Sequence, residues 1–303
     1  MSATTHTEVY RRFVGKLSTH PLRWAPLARA TIRTAAKRRL PLIILYAPPA
    51  IATVIFSFVV YARFSFEAGV TPAAIGGGNP AVALVGRMAE TLIQVRQQIV
   101  VFHLAMTMFT LLVFTWFGAG EIAEDRRLGA HLLYFARPLT RLDYLLGKFL
   151  SVAFYGSLAV LVPPLVICAV ATFSSPNYSF LAKEGGVVPR SIAYSLLWVV
   201  SWSSVALAIS SLSSRKSFAL VACFAFFLIP FAISGALAAL TEDKSWFAYS
   251  LQGAFQRIAA SLFETPDLAW RFEATLAWAS VAGWTALSWL VLLLRVRRME
   301  AAL

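Results

Sequence analysis

Hydrophobic residues in this chain run in long unbroken blocks instead of returning every three or four positions. Six blocks contain no Lys, Arg, Asp or Glu: residues 40–62, 99–120, 149–173, 191–212, 217–241 and 274–294. Each is 21 to 25 residues long. At about 1.5 Å of rise per residue, a helix of that length crosses a hydrocarbon core of about 30 Å with some tilt. A buried helix of a soluble protein could explain one such block, but six in one chain leave that reading little room. The fold class expected is all-α, a polytopic membrane protein with six transmembrane helices. Residues 1–39 then form an N-terminal segment, 40–294 the membrane domain and 295–303 a tail. The first block starts after 39 mostly polar residues, too late for a cleavable signal peptide, so the N-terminus is expected to be retained.

The polar stretches between the blocks set the orientation. Nine Lys and Arg precede the first block, five lie in 121–148, two are Arg215 and Lys216, and three are Arg295, Arg297 and Arg298. That places 19 basic residues on one side against eight on the other, although the three connections on the poorer side total more than 80 residues. Positive charge marks the cytoplasmic side, so both termini are expected there. The composition agrees: 59% of residues are hydrophobic and 14% charged, against about 25% charged in an ordinary soluble domain. The net charge of +13 is therefore read as topology, and no nucleic-acid partner is expected. The expected location is the bacterial inner (cytoplasmic) membrane, multi-pass.

Residues 22–39 have helical amphipathicity. Trp24, Leu27, Ala28, Thr31, Ile32 and Ala35 share one arc, Arg23, Arg29, Arg33 and Lys37 the opposite one, and Pro26 suits a first turn. Such a helix can lie in the headgroup plane of the bilayer, with Trp24, Arg33 and Lys37 as interface residues; a solvated basic tail is the alternative. Gly76–Gly78 make a flexible stretch, and Asn79 and Pro80 open a helix leading into the second span. The last outer connection, 242–273, has an apolar centre that predicts a short helix on or in the outer leaflet. Pro48–Pro49, Pro163–Pro164 and Pro230 fall inside spans, where each should bend or break its helix.

Catalytic chemistry has little to stand on. No Lys, Arg, Asp or Glu lies in a span, although ion-coupled carriers keep a charge there for function. His103 is the one imidazole in a span. A soft-metal or proton site with Cys168 and Cys223 is one reading, an ordinary histidine satisfied between helices the other, and no metal-ligand spacing favours the first. The weak pathway candidates are His103, Thr107, Ser201 and Ser204. Gly15–Lys16 and Gly147–Lys148 lack both the following Ser or Thr and the earlier glycine of a phosphate-binding loop. The chain is therefore expected not to be an enzyme, to hold no metal and no cofactor of its own, and to take any energy from a partner. Lys148 reads as a residue snorkelling to the membrane face.

The most informative residues lie in 121–148. Glu121, Glu124, Asp125 and Arg126 lead to Gly129, which permits a turn; Asp125 and Arg126 read as exposed charges. Arg137 and Pro138 end what precedes them. Thr140 and Asp143 have capping-box spacing, which restarts a helix through Arg141 into the third span. This is a short rigid elbow held between two membrane helices.

Asp125, Arg126, Gly129, Pro138, Thr140, Arg141, Gly147 and Lys148 resemble the acidic-Arg-x-x-Gly, Pro-x-(Ser/Thr)-Arg and Gly-Lys elements of the permease family of ABC type-2 exporters. The motif covers about 25 residues, with Asp125 where many members carry Glu. More loosely, the basic N-terminal helix, six spans and Ser-rich turn at Arg215 fit as well. The resemblance implies a transporter permease, acting as a homodimer with two cytoplasmic ATP-binding cassette subunits that bind ATP and Mg. It further implies that the elbow (Glu121, Glu124, Asp125, Arg126, Gly129, Arg137, Pro138, Thr140, Arg141) docks onto such a subunit. Small residues at helical spacing, Ser204 with Ala208 and Gly235 with Ala239, suit close helix contacts or the dimer seam. A secondary carrier is disfavoured by the lack of intramembrane charge and of an internal repeat. An ATPase-coupled assembly or signalling component of the same fold stays open.

Overall fold

A computed structural model describes residues 22–67, 94–135, 139–266 and 272–301. Among them the chain is helical throughout, without strands, and six helices are long and apolar enough to cross a membrane. Helix α1 (Ala25–Ala36) precedes the first span, α2 (Arg39–Glu67). The second span is α3 (Val95–Gly118), followed by two short helices, α4 (Glu121–Arg127) and α5 (Ala130–Phe135). The third is split into α6 (Arg141–Val160) and α7 (Val162–Ser174). A 3-10 turn (Pro176–Tyr178) and α8 (Ser179–Glu184) lead to α9 (Val187–Leu212), the fourth span, and α10 (Lys216–Thr241) is the fifth. A 3-10 helix (Lys244–Tyr249), α11 (Leu251–Leu262) and the sixth span, α12 (Ala274–Ala301), complete the described chain.

The expected prolines behave in two ways. Pro163 and Pro164 do break a helix, because neither offers an N–H to α6. The carbonyl of Val160, which a residue at 164 would otherwise engage, instead accepts from the Ser195 hydroxyl at 3.1 Å. Pro48 and Pro49, in contrast, do not break α2, and Pro230 does not break α10. The stretch holding Gly76–Gly78, Asn79 and Pro80, and the Arg137–Pro138 break, lie outside the described residues.

Helix α9 is the axis of the bundle. It packs on α3, α6 and α12, and two thirds of its apolar segment is buried. Close approach there depends on Gly118 at the end of α3, where a Cβ would lie 2.5 Å from the Ala206 Cβ of α9. Ser204 and Ala208 are likewise buried within this one chain, whereas Gly235 and Ala239 sit on α10, the least buried span. Helix α11 does not lie on a surface: Phe255 is fully buried between Trp198 and Trp202, with ring centroids at 4.7 and 6.3 Å.

The ends of the bundle are tied differently. Far from α4, Glu184 accepts from the Val95 amide at 3.0 Å at the start of α3 and pairs with Arg63 at 3.4 Å. Arg96 and Arg190 there share Glu264, at 2.9 and 2.8 Å. At the other end α1 lies across α6. Its expected apolar arc is the buried one, with Arg29, Arg33 and Lys37 exposed and Trp24 half-buried. Gly147 makes this seat possible, since a Cβ there would stand 2.8 Å from Leu27 Cδ2, and the Tyr155 hydroxyl donates to the Ile32 carbonyl at 2.7 Å.

Candidate functional site: the 121–148 connection

The chain leaves α3 through Ala119 and Gly120 and turns directly into α4. Four amides at a helix start need acceptors, and Gly120 at the N-cap position supplies no side-chain acceptor. The Ser210 hydroxyl of α9 does so from a distance, accepting from the amides of Ile122 at 3.0 Å and Ala123 at 3.1 Å. The favour is returned at the C-terminal end of α9, where unpaired carbonyls need donors. The Arg126 guanidinium reaches the carbonyls of Ser211 and Ser213 at 2.8 and 3.1 Å. The two helices cap each other.

A buried charge cluster fixes α4 to α6. Lys148 Nζ lies 3.1 Å from Glu121 Oε2 and 3.0 Å from Asp125 Oδ2, and the Tyr144 hydroxyl donates to the same Asp125 oxygen at 2.8 Å. The Lys148 side chain is 5% exposed and that of Asp125 12%. Two expectations are corrected here. Asp125 is not an exposed charge, because one ammonium and one phenol hold it inside. Lys148 does not snorkel to the membrane face, because two carboxylates one helical turn apart on α4 draw it inward. Arg126 is likewise half-buried and occupied with α9.

After α4, Gly129 turns the chain with φ +68°, a left-handed value that favours glycine. Thr140 and Asp143 form the expected capping box: the Asp143 amide donates to Thr140 Oγ1 at 3.1 Å and the Thr140 amide to Asp143 Oδ2 at 3.0 Å. What remains at the surface of this connection is a mixture of cations and large apolar side chains. Arg127, Thr140 and Arg141 are exposed, Glu124 is half-exposed, and Leu128, Leu133 and Leu142 are 68%, 47% and 57% exposed. Leu128 and Leu133 lie between the candidate spans, where no apolar block accounts for their exposure. Exposed apolar side chains rimmed by charge mark protein contact surfaces.

The weak pathway candidates sit elsewhere, inside the bundle. His103 and Thr107 on α3 and Ser201 and Ser204 on α9 are all buried. Thr107 and Ser204 donate to carbonyls of their own helices, and Ser201 accepts from Thr285 of α12 at 2.9 Å. His103 is not the satisfied histidine expected: its Nε2 has no hydrogen-bond partner among the described residues, and the ring stands among Phe102, Tyr194 and Trp198. Among the described residues no cluster of His, Cys, Asp or Glu could hold a metal ion.

Sequence reading found Glu121, Asp125, Arg126, Gly129 and Thr140 but missed Tyr144, Ser210 and the carbonyls of Ser211 and Ser213. No local signal marks Ser210, since its partners lie almost 90 residues away along the chain. Residues 82–259, more than half of the chain, match the family model described as ABC-2 family transporter protein. The match includes the whole 121–148 connection. No single curated protein matches the chain.

Proposed function

The chain belongs to the ABC-2 family of transporter proteins, and we propose that it is the permease subunit of an exporter driven by ATP hydrolysis on a separate cytoplasmic subunit. The observation that carries this reading is the double anchoring of α4: a segment outside the spans, bolted to α6 by buried charge and to α9 by reciprocal caps, presents exposed leucines and cations. A push on that surface reaches two membrane helices with no soft joint in between. In this role Arg127, Leu128, Arg141 and Leu142 make the contact. Glu121, Asp125, Arg126, Gly129 and Thr140 hold the frame, with Glu124 at its edge.

Two such permeases and two ATPase subunits, with ATP and Mg held by the latter, form the working unit in the bacterial inner membrane. The exposed apolar face of α10 (Val221, Leu228, Ile229) leaves room for lipid or for the second copy. Spans without charge favour an amphipathic, lipophilic or lipid-linked cargo. The distribution of Lys and Arg supports an orientation with α1, α4 and the α9–α10 turn in the cytoplasm. A cysteine replacing Leu128 or Arg215 should then be shielded from an impermeant thiol reagent in intact cells, and one replacing exposed Lys244 should react. Labelling of the first pair alone would invert the topology.

The docking test uses the purified chain with its cognate ATP-binding subunit. Alone, the permease should hydrolyse no ATP; together, it should change the subunit's turnover. Arg127→Glu with Leu128→Asp should weaken association more than tenfold, since central contacts in an interface are worth about 2 kcal/mol or more. Thermal stability should hold, because neither side chain is buried. A variant that binds and activates like wild type would remove the coupling role.

A further inference from the structure

A cavity of about 250 Å³ opens between α1, the start of α2, the end of α3 and α4. Its depth is set by the chain itself: α2 begins at Arg39 and α3 ends at Gly118, so it lies at the boundary between hydrocarbon and water. Three cations (Arg38, Lys148, Lys216) and three carboxylates (Glu121, Glu124, Asp125) line it. Lys148 is taken up by Glu121 and Asp125 at the inner wall. At the mouth, Lys216 lies over the Trp116 ring at 5.3 Å and a loose 3.9 Å from Glu124. Arg38 is exposed and has no carboxylate partner among the described residues. Gly120 leaves room for the Lys216 stem, which a Cβ there would meet at 3.0 Å.

We propose that this cavity binds the headgroup of an aminophospholipid, a phosphodiester carrying a primary ammonium. The lining offers partners for both charges of such a zwitterion. Arg38 and Lys216 take the phosphate, and Glu124, only loosely held by Lys216, accepts from the ammonium. A net-anionic headgroup would bring a phosphate beside Glu124 without an ammonium of its own to answer that carboxylate. A choline headgroup carries no N–H to donate, although its charge can still rest on Trp116. The cavity falls just below the roughly 300–1,000 Å³ of pockets for drug-sized ligands, which suits a headgroup whose tails stay outside. The tails have a track: Pro41 lines the cavity, and beside it on α2 Leu40 and Ile44 are 74% and 68% exposed. The ligand joins α1 to α4, and so couples the lipid surface to the connection described above. This binding does not depend on the transport reading.

Native mass spectrometry of the full-length chain in detergent, titrated with defined lipids, tests it. Phosphatidylethanolamine should bind at least about fivefold more tightly than phosphatidylcholine or phosphatidylglycerol, and Glu124→Gln should erase its advantage over phosphatidylcholine. Arg38→Gln should weaken phosphatidylethanolamine about tenfold, the usual loss for a charge-assisted hydrogen bond. Both side chains are at the surface, so folding is expected to survive, and the melting temperature of each lipid-free variant checks it. Phosphatidylglycerol binding as tightly as phosphatidylethanolamine would overturn the proposal, as would a Glu124→Gln chain that keeps the preference. Tailless glycerophosphoethanolamine binding as tightly as the lipid would assign the cavity to a soluble ligand and overturn it equally.

Discussion

Replacing Lys148 with Met is expected to cost about 3–5 kcal/mol of stability, the usual consequence of stranding a buried charge. Here two carboxylates lose the same ammonium at once. Glu121 and Asp125 have side chains only 18% and 12% exposed, and Lys148 Nζ is within 3.1 Å of both. Tyr144 still donates to Asp125 at 2.8 Å, which softens the loss without neutralising the charge. Thermal unfolding of the detergent-solubilised chain should show a large drop in melting temperature. Acidic buffer should restore part of it, since burial already holds the Glu121 carboxyl above its usual range and its protonation removes the charge, whereas rising pH should deepen the loss. Combining Lys148→Met with Glu121→Gln and Asp125→Asn should recover most of the stability, because neutral buried groups of similar shape replace the whole ionic cluster. If Lys148→Met melts with wild type at neutral pH, the cluster is solvated and α4 is not fixed to α6 in the way described.

The second large effect is expected where α3 meets α9. A methyl at Gly118 would stand 2.5 Å from Ala206 Cβ, well inside the roughly 3.5–4.0 Å at which carbon atoms rest. Neither atom is the end of a flexible side chain, so relief requires the helices to separate. Gly118→Ala should therefore destabilise by about 1–3 kcal/mol, and Gly118→Leu by more. Adding Ala206→Gly should return much of the Gly118→Ala loss, because it opens the same volume from the other side. A double-mutant cycle on melting curves measures that coupling. Purely additive effects would mean that the two helices do not touch at this point.

Some elements were legible from local pattern. A span needs only contiguous apolar residues of sufficient number, so blocks such as 191–212 and 217–241 nearly coincide with α9 and α10. The capping box needs Thr140 and Asp143 three positions apart, and Gly129 needs only its missing Cβ. The arcs of α1 follow from helical periodicity. Proline was read less well, because its missing donor is local but its remedy is not. At Pro164 the helix breaks and Ser195, on another helix, takes up the freed carbonyl; at Pro48, Pro49 and Pro230 the helix continues.

Sequence alone thus determined the six helices long and apolar enough to cross a membrane, the amphipathic lead-in, the turn at Gly129 and the capping box at Thr140. It misjudged what those residues face. Asp125 is buried because Lys148 and Tyr144 come from the far side of the connection, and Arg126 is occupied because the end of α9, about 85 residues later, lies beside it. Tertiary structure alone decided these matters, and it left Arg127, Leu128 and Leu142 as exposed side chains of this connection instead. The physical reason is that hydrophobic length and helix capping are properties of neighbours in sequence. The cost of burying a charge, and the partner that offsets it, are properties of neighbours in space.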